Sequence, residues 1–218
     1  IKNYNLNKNK NMVDYMFVFN KDYGRIFSKY IKGKPIVIGS FKNNHKQIIK
    51  KKKKNNKILF ISQWREHEKN INPYYKSGEK LIIFLNNYCF KNKKELIIAG
   101  AFNEKTREKN FYVGALKRQK NICKFKFIPK KETYSNYHLL DKSEIIITID
   151  SAFGHEAFAR GCKVIFFNFR SKLNGLKYGW PGKFKNEGLF WLNNYNEKKL
   201  QSKINILFKL HHKDWKKR

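Results

Sequence analysis

Short runs of β-branched and aromatic residues alternate with segments of helical spacing along most of this chain, and that alternation points to an α/β fold. The clearest strand is Glu144 to Ile149 (EIIITI), an almost unbroken apolar run of the kind found in central parallel strands covered on both faces. Comparable runs stand at Ile58 to Ser62 (ILFIS), Glu95 to Ala99 (ELIIA) and Lys163 to Phe167 (KVIFF), with an alternating one at Cys123 to Ile128 (CKFKFI). Between the first two, Leu81, Leu85, Tyr88 and Cys89 fall at i, i+4, i+7 and i+8, the stripe of a helix that lies on a sheet. Leu200, Ile204, Leu207 and Phe208 repeat that spacing, and shorter helices are expected within 105–119, 134–140 and 153–160. Strand–helix–strand units in series predict a doubly wound parallel sheet, Rossmann-like, over residues 58–218.

A smaller pattern of the same kind comes first, with strands at Val13 to Phe19 (VDYMFVF) and Pro35 to Gly39 (PIVIG) around a helix through Arg25 to Tyr30. Residues 1–42 are therefore read as the tail end of a separate α/β domain, with earlier sequence expected upstream of Ile1. The polar stretch 43–57, with its run from Lys50 to Lys54, reads as a solvated basic linker. Ser171 to Gly188 (SKLNGLKYGWPGKFKNEG) breaks the rhythm. So long a stretch without helical or strand period suggests a ligand-covering loop, with Tyr178 and Trp180 as its lid.

The formal charge of +33 invites a nucleic-acid reading, but only 7 of the 49 basic residues are Arg, whose bidentate fork suits phosphates and base edges. Lys, Asn, Ile, Phe and Tyr, all with A/T-rich codons, supply more than half of the chain, so the charge reflects codon bias more than selected contacts. No specific nucleic-acid partner is expected. A basic nucleic-acid module is the weakest of the rival readings, and an anionic membrane surface is the better partner for such charge. No apolar stretch approaches the ~20 residues of a membrane span. Cys89, Cys123 and Cys162 form no CxxC pair, which argues against a disulfide framework or zinc site and for a reducing cytoplasm. His67 lacks the spacing of a metal ligand set, so no metal is expected.

In an open parallel sheet, ligands bind beyond the carboxyl ends of the strands where strand order reverses. If the Ile58 and Ile145 strands are neighbours there, Ser62, Gln63 and Arg65 meet Asp150, Ser151 and Gly154, with Gly100 bordering the same edge. The segment Asp150 to Gly161 (DSAFGHEAFARG) runs from strand to helix through Asp-Ser. Ser151 suits an N-cap, the first-turn amides and helix dipole suit a phosphate, and Gly154 suits close approach of a ligand. Glu156, one turn in, is placed to accept hydrogen bonds from ribose hydroxyls, or else to pair with Arg160 at i, i+4. Arg107 and Arg170, with Arg65, are candidate phosphate contacts.

DSAFGHEAFARGCKVIFF resembles the Asp-Ser-x-x-Gly-x-Glu-Ala-x-x-x-Gly segment of bacterial surface-carbohydrate biosynthesis proteins that look like GT-B-fold glycosyltransferases. DYMFVFN, IVIGSFKNN, ILFISQWRE and the YGWP…EGLFW stretch extend the resemblance. It implies a C-terminal domain for a nucleotide-sugar donor, with Glu156 on the ribose and Ser151 and Gly154 at the diphosphate. It further implies no cofactor and no metal, a lipid-linked or saccharide acceptor, and a catalytic base contributed from outside this chain. His155 departs from the aromatic expected at its position. The alternative on the same architecture is a nucleotide-sugar 2-epimerase. The expected location is the cytoplasm, peripheral to the inner face of the membrane.

Overall fold

The structure, a computed structural model, describes residues 11–47, 55–64, 72–103, 107–168 and 185–217, with backbone alone for 72–76. The chain divides into two compact units, Ile1–Gln47 and Ile48–Arg218.

In the first unit, β1 (Met12–Val18), α1 (Lys21–Phe27) and β2 (Lys32–Val37) make a parallel βαβ turn. Asn20 caps α1 by accepting the Tyr23 amide at 2.9 Å. Met16 and Val18 are its buried strand side chains. A short α2 (Phe41–His45) follows, with Ser40 accepting the Asn43 amide. That cap carries helical structure into the segment read from sequence as linker; residues 48–54 of that segment lie outside the described residues.

The second unit is a seven-stranded sheet in the order β5-β4-β3-β6-β7-β9-β8. Its elements are β3 (Lys57–Ile61), α3 (Asn72–Lys91), β4 (Glu95–Ala99), α4 (Glu108–Lys117), β5 (Phe125–Ile128), α5 (Tyr137–Lys142), β6 (Ile145–Thr148), α6 (Ala152–Ala159), β7 (Lys163–Phe167), β8 (Glu187–Gly188), β9 (Trp191–Leu192), α7 (Glu197–Lys209) and α8 (His212–Lys216). Every pairing is parallel except the short β8–β9 pair. β5 starts two residues later than its sequence pattern suggests, because the Cys123 amide donates to the Asn86 side chain instead of the ladder.

The unbroken apolar runs follow from a core on each face. Ile58, Phe60, Ile145 and Ile147 join α3, α4 and α7 on one side, while Leu59, Ile61 and Ile146 join α5 and α6 on the other. The helix after β3 therefore covers the opposite face from the helix after β6, although β3 and β6 are paired, Ile61 against Thr148. The chain thus switches direction between these two strands, the point beyond whose carboxyl ends open parallel sheets bind their ligands. Behind it, Arg160 forms a two-pronged pair with Asp141 (3.2 and 2.7 Å) that fastens α6 to α5. The buried Lys163 ammonium joins Glu144 (2.7 Å) and the Leu207 and Leu210 carbonyls at the end of α7 (2.9 and 2.7 Å). Among the described residues, no helix is long and apolar enough to cross a membrane.

Candidate functional site

The two turns at the switch point meet through a side chain. Gln63 Oε1 accepts the Asp150 amide at 3.2 Å, so the turn after β3 is tied to the turn after β6. Ser151 then caps α6: its backbone is extended (φ −71°, ψ 135°) and its Oγ accepts the Phe153 amide at 3.2 Å. The Ser151 amide donates to Thr148 Oγ1 at 3.3 Å, and its carbonyl accepts the Gly154 amide. This leaves the exposed Ala152 amide as the first-turn donor without a partner among the described residues. An N-terminus of this kind favours an anion through that donor and the helix dipole.

Glu156 lies one turn along α6, half-buried, and its Oε2 accepts the hydroxyl proton of Tyr137 at the start of α5. Burial, followed by the adjoining carboxylate, pushes the Tyr137 phenol up, so the hydroxyl stays a donor. The Tyr137 ring also meets Phe153 edge-on at 5.0 Å. Arg160, the alternative partner for Glu156 by spacing, turns to Asp141 and lies over the Tyr137 ring at 5.7 Å. The Tyr137 hydroxyl thus helps to position the Glu156 carboxylate. Next to it, the His155 ring stacks on Phe166 at 4.6 Å while an edge stays exposed. Desolvation lowers its pKa below the usual imidazole value, and the Asp150 carboxylate works against that shift.

Several expectations need correction. Gly154 does not open the backbone to a ligand: a Cβ there would stand 2.4 Å from Thr148 Cγ2 and 3.4 Å from Phe166, so the glycine lets α6 pack onto β6 and β7. Ser62 is buried and its hydroxyl is engaged inside, donating to Tyr112 and accepting the Trp64 amide, both at 3.2 Å. Gly100 is enclosed as well, since a Cβ would meet Phe127 at 2.9 Å and Pro129 at 3.2 Å. The amides after it, Ala101 and Phe102, already hold the fully buried Glu108 carboxylate at 2.9 and 3.1 Å. An internal carboxylate therefore occupies the turn after Gly100, which was expected to border the donor site. Arg107, the exposed first residue before α4, is at the same sheet edge on the far side of β3. Arg65, Arg170, Tyr178 and Trp180 lie outside the described residues, as does His67.

The structure therefore brings together Gln63, Asp150, Ser151 and Glu156, and it adds Tyr137 and Thr148, which sequence reasoning missed. The available signal for Tyr137 was its i, i+4 spacing to Asp141, which matches that of Glu156 to Arg160. The members of those pairs meet, Tyr137 with Glu156 and Asp141 with Arg160. Among the described residues, no group of three or more His, Cys, Asp or Glu is placed to hold a metal ion.

No curated protein matches the chain. Among solved structures, it superposes on a protein of the Glycosylation Associate Protein (Gap123) complex from Streptococcus agalactiae with a TM-score of 0.58 and 14% identity. The match covers 94% of this chain and 40% of that one, and at such identity it shows a shared fold. The family model described as "putative O-antigen biosynthesis protein" matches residues 2–218, and the chain belongs to that family.

Proposed function

We propose that the unit from residue 48 onward binds a nucleotide-sugar donor as part of a GT-B-type glycosyltransferase of surface-polysaccharide assembly. The observation that carries the reading is the placement of Ser151 and the carboxylate of Glu156, anchored by Tyr137, on the helix that starts at the switch point. In that role Glu156 accepts hydrogen bonds from the donor ribose, while the Ala152 amide and the α6 dipole face the diphosphate. Arg107 adds positive charge at the same edge. The leaving diphosphate is stabilised by these donors, and the base that activates the acceptor comes from outside this chain. A lipid-linked or saccharide acceptor fits the family's place in O-antigen biosynthesis.

A second reading has its own support. Ser62, Gly100 and the amides after β4 serve internal packing, which leaves few groups for a diphosphate. The fold neighbour belongs to a complex described as glycosylation-associated. On this reading the chain is a non-catalytic component of glycan assembly.

Calorimetric titration of the full chain with UDP, GDP and CMP separates the two. Donor binding predicts saturable heat with one of these nucleotides. Glu156→Ala then weakens it about ten- to a hundredfold, as expected for loss of charge-assisted hydrogen bonds. Absence of heat with all three leaves the non-catalytic reading. Conversion of a UDP-sugar without an acceptor would instead reveal an epimerase.

A further inference from the structure

At the opposite, amino-terminal edge of the sheet, two of the three cysteines come together. Cys89 ends the buried stripe of α3, and Cys123 precedes β5. One residue holds them in place. The fully buried Asn86, one turn before Cys89 on the same helix face, accepts the Cys123 amide at 3.0 Å and donates to the Asn121 carbonyl at 2.7 Å. This clamp presses the 121–123 segment onto α3 and sets Cys123 beside the helix face that carries Cys89. Both side chains line a cavity of about 340 Å³ edged by Lys93, Lys94 and Lys124. Cys123 keeps 6% of its surface exposed and Cys89 none, so Cys123 is the member of the pair that a small oxidant meets first.

We propose that Cys89 and Cys123 form a reversible disulfide in response to hydrogen peroxide, a modification site remote from the candidate donor site. The neighbouring Cys89 thiol lowers the Cys123 pKa and favours its thiolate, while Cys123 and burial push the Cys89 thiol up and keep it protonated. Cys123 is accordingly the attacking sulfur. Its thiolate takes one peroxide oxygen as the O–O bond breaks, leaving hydroxide, which picks up a proton to become water, and a Cys123 sulfenic acid. Cys89 then attacks that sulfur and gives up its proton, the S–O bond breaks, and a second water leaves. The two thiols are oxidised and the peroxide is reduced. The product staples the end of α3 to the start of β5. Cys162 is the internal control: it is buried on the other face of the sheet and its thiol donates to the Leu140 carbonyl.

The test exposes reduced full-length protein to dilute hydrogen peroxide, blocks remaining thiols by alkylation, and maps peptides by mass spectrometry. The expected result is a Cys89–Cys123 cross-linked peptide pair, removed by dithiothreitol, with Cys162 still alkylated and a higher Tm for the oxidised protein. Cys89→Ser should leave a sulfenic acid on Cys123 that dimedone captures. Cys162 oxidised as readily as the pair, over-oxidation of Cys123 without a cross-link, or a cross-link seen only in denaturant would each overturn the proposal. The unmodified protein alone decides it, so a variant that folds poorly does not weaken the test.

Discussion

Gly154 shows how one residue type serves two opposite ends. A glycine three positions after an N-cap serine reads naturally as space for a ligand, yet the space here is filled by Thr148. Gly154→Ala forces a methyl group to within 2.4 Å of Thr148 Cγ2, and overpacking of that kind costs about 1–3 kcal/mol. Urea denaturation should register that loss, and Thr148→Ser, which removes Cγ2 and keeps the hydroxyl that accepts the Ser151 amide, should recover much of it. A Gly154→Ala protein as stable as the parent would mean that α6 rides higher on the sheet than described. Ser62 carries the same lesson. Its partner Tyr112 is 50 residues away, so no local pattern distinguishes an engaged hydroxyl from a free one.

At the scale of elements, three polar pairs share a single offset. Tyr137 with Glu156, Asp141 with Arg160, and Glu144 with Lys163 are each 19 residues apart. A strand–helix unit followed by its parallel successor produces this, because equivalent positions in the two units come side by side. One pair positions the candidate carboxylate, one locks α5 to α6, and one reaches the end of α7. Lys163→Met should expose the last link. It leaves Glu144 buried beside two carbonyls without their shared cation, and loss of one partner in a buried pair costs about 3–5 kcal/mol. Equilibrium unfolding should report that cost, and hydrogen exchange should quicken in the final turn of α7. A cost below about 1 kcal/mol would show that the ammonium contributes little to holding α7.

For the whole molecule, the surplus of basic over acidic residues (49 against 16) should draw the protein to anionic lipid. Co-sedimentation with phosphatidylglycerol vesicles is expected at low salt and should fade above about 0.15 M, where the screening length falls to about 8 Å. Binding that ignores salt, or equal binding to neutral vesicles, would remove charge as the cause. Much of the α/β order could be read directly. Runs such as ILFIS and EIIITI announce strands covered on both faces, and the stripes of α3 and α7 announce helices, because side-chain period is a local property of the backbone. The short β8, β9 and α8 escaped that reading, since two to five residues are too few to show a period. The sequence alone also placed Ser151 at a helix start, since an N-cap is formed within three residues of chain. What it left open was which turns are neighbours, which polar groups are already engaged, and which thiols line one cavity. Those depend on strand order and on the face each helix covers. Contacts between residues dozens of positions apart arise only when the sheet closes, so tertiary structure alone decided that Glu156 meets Tyr137 and that Glu108 fills the turn after Gly100.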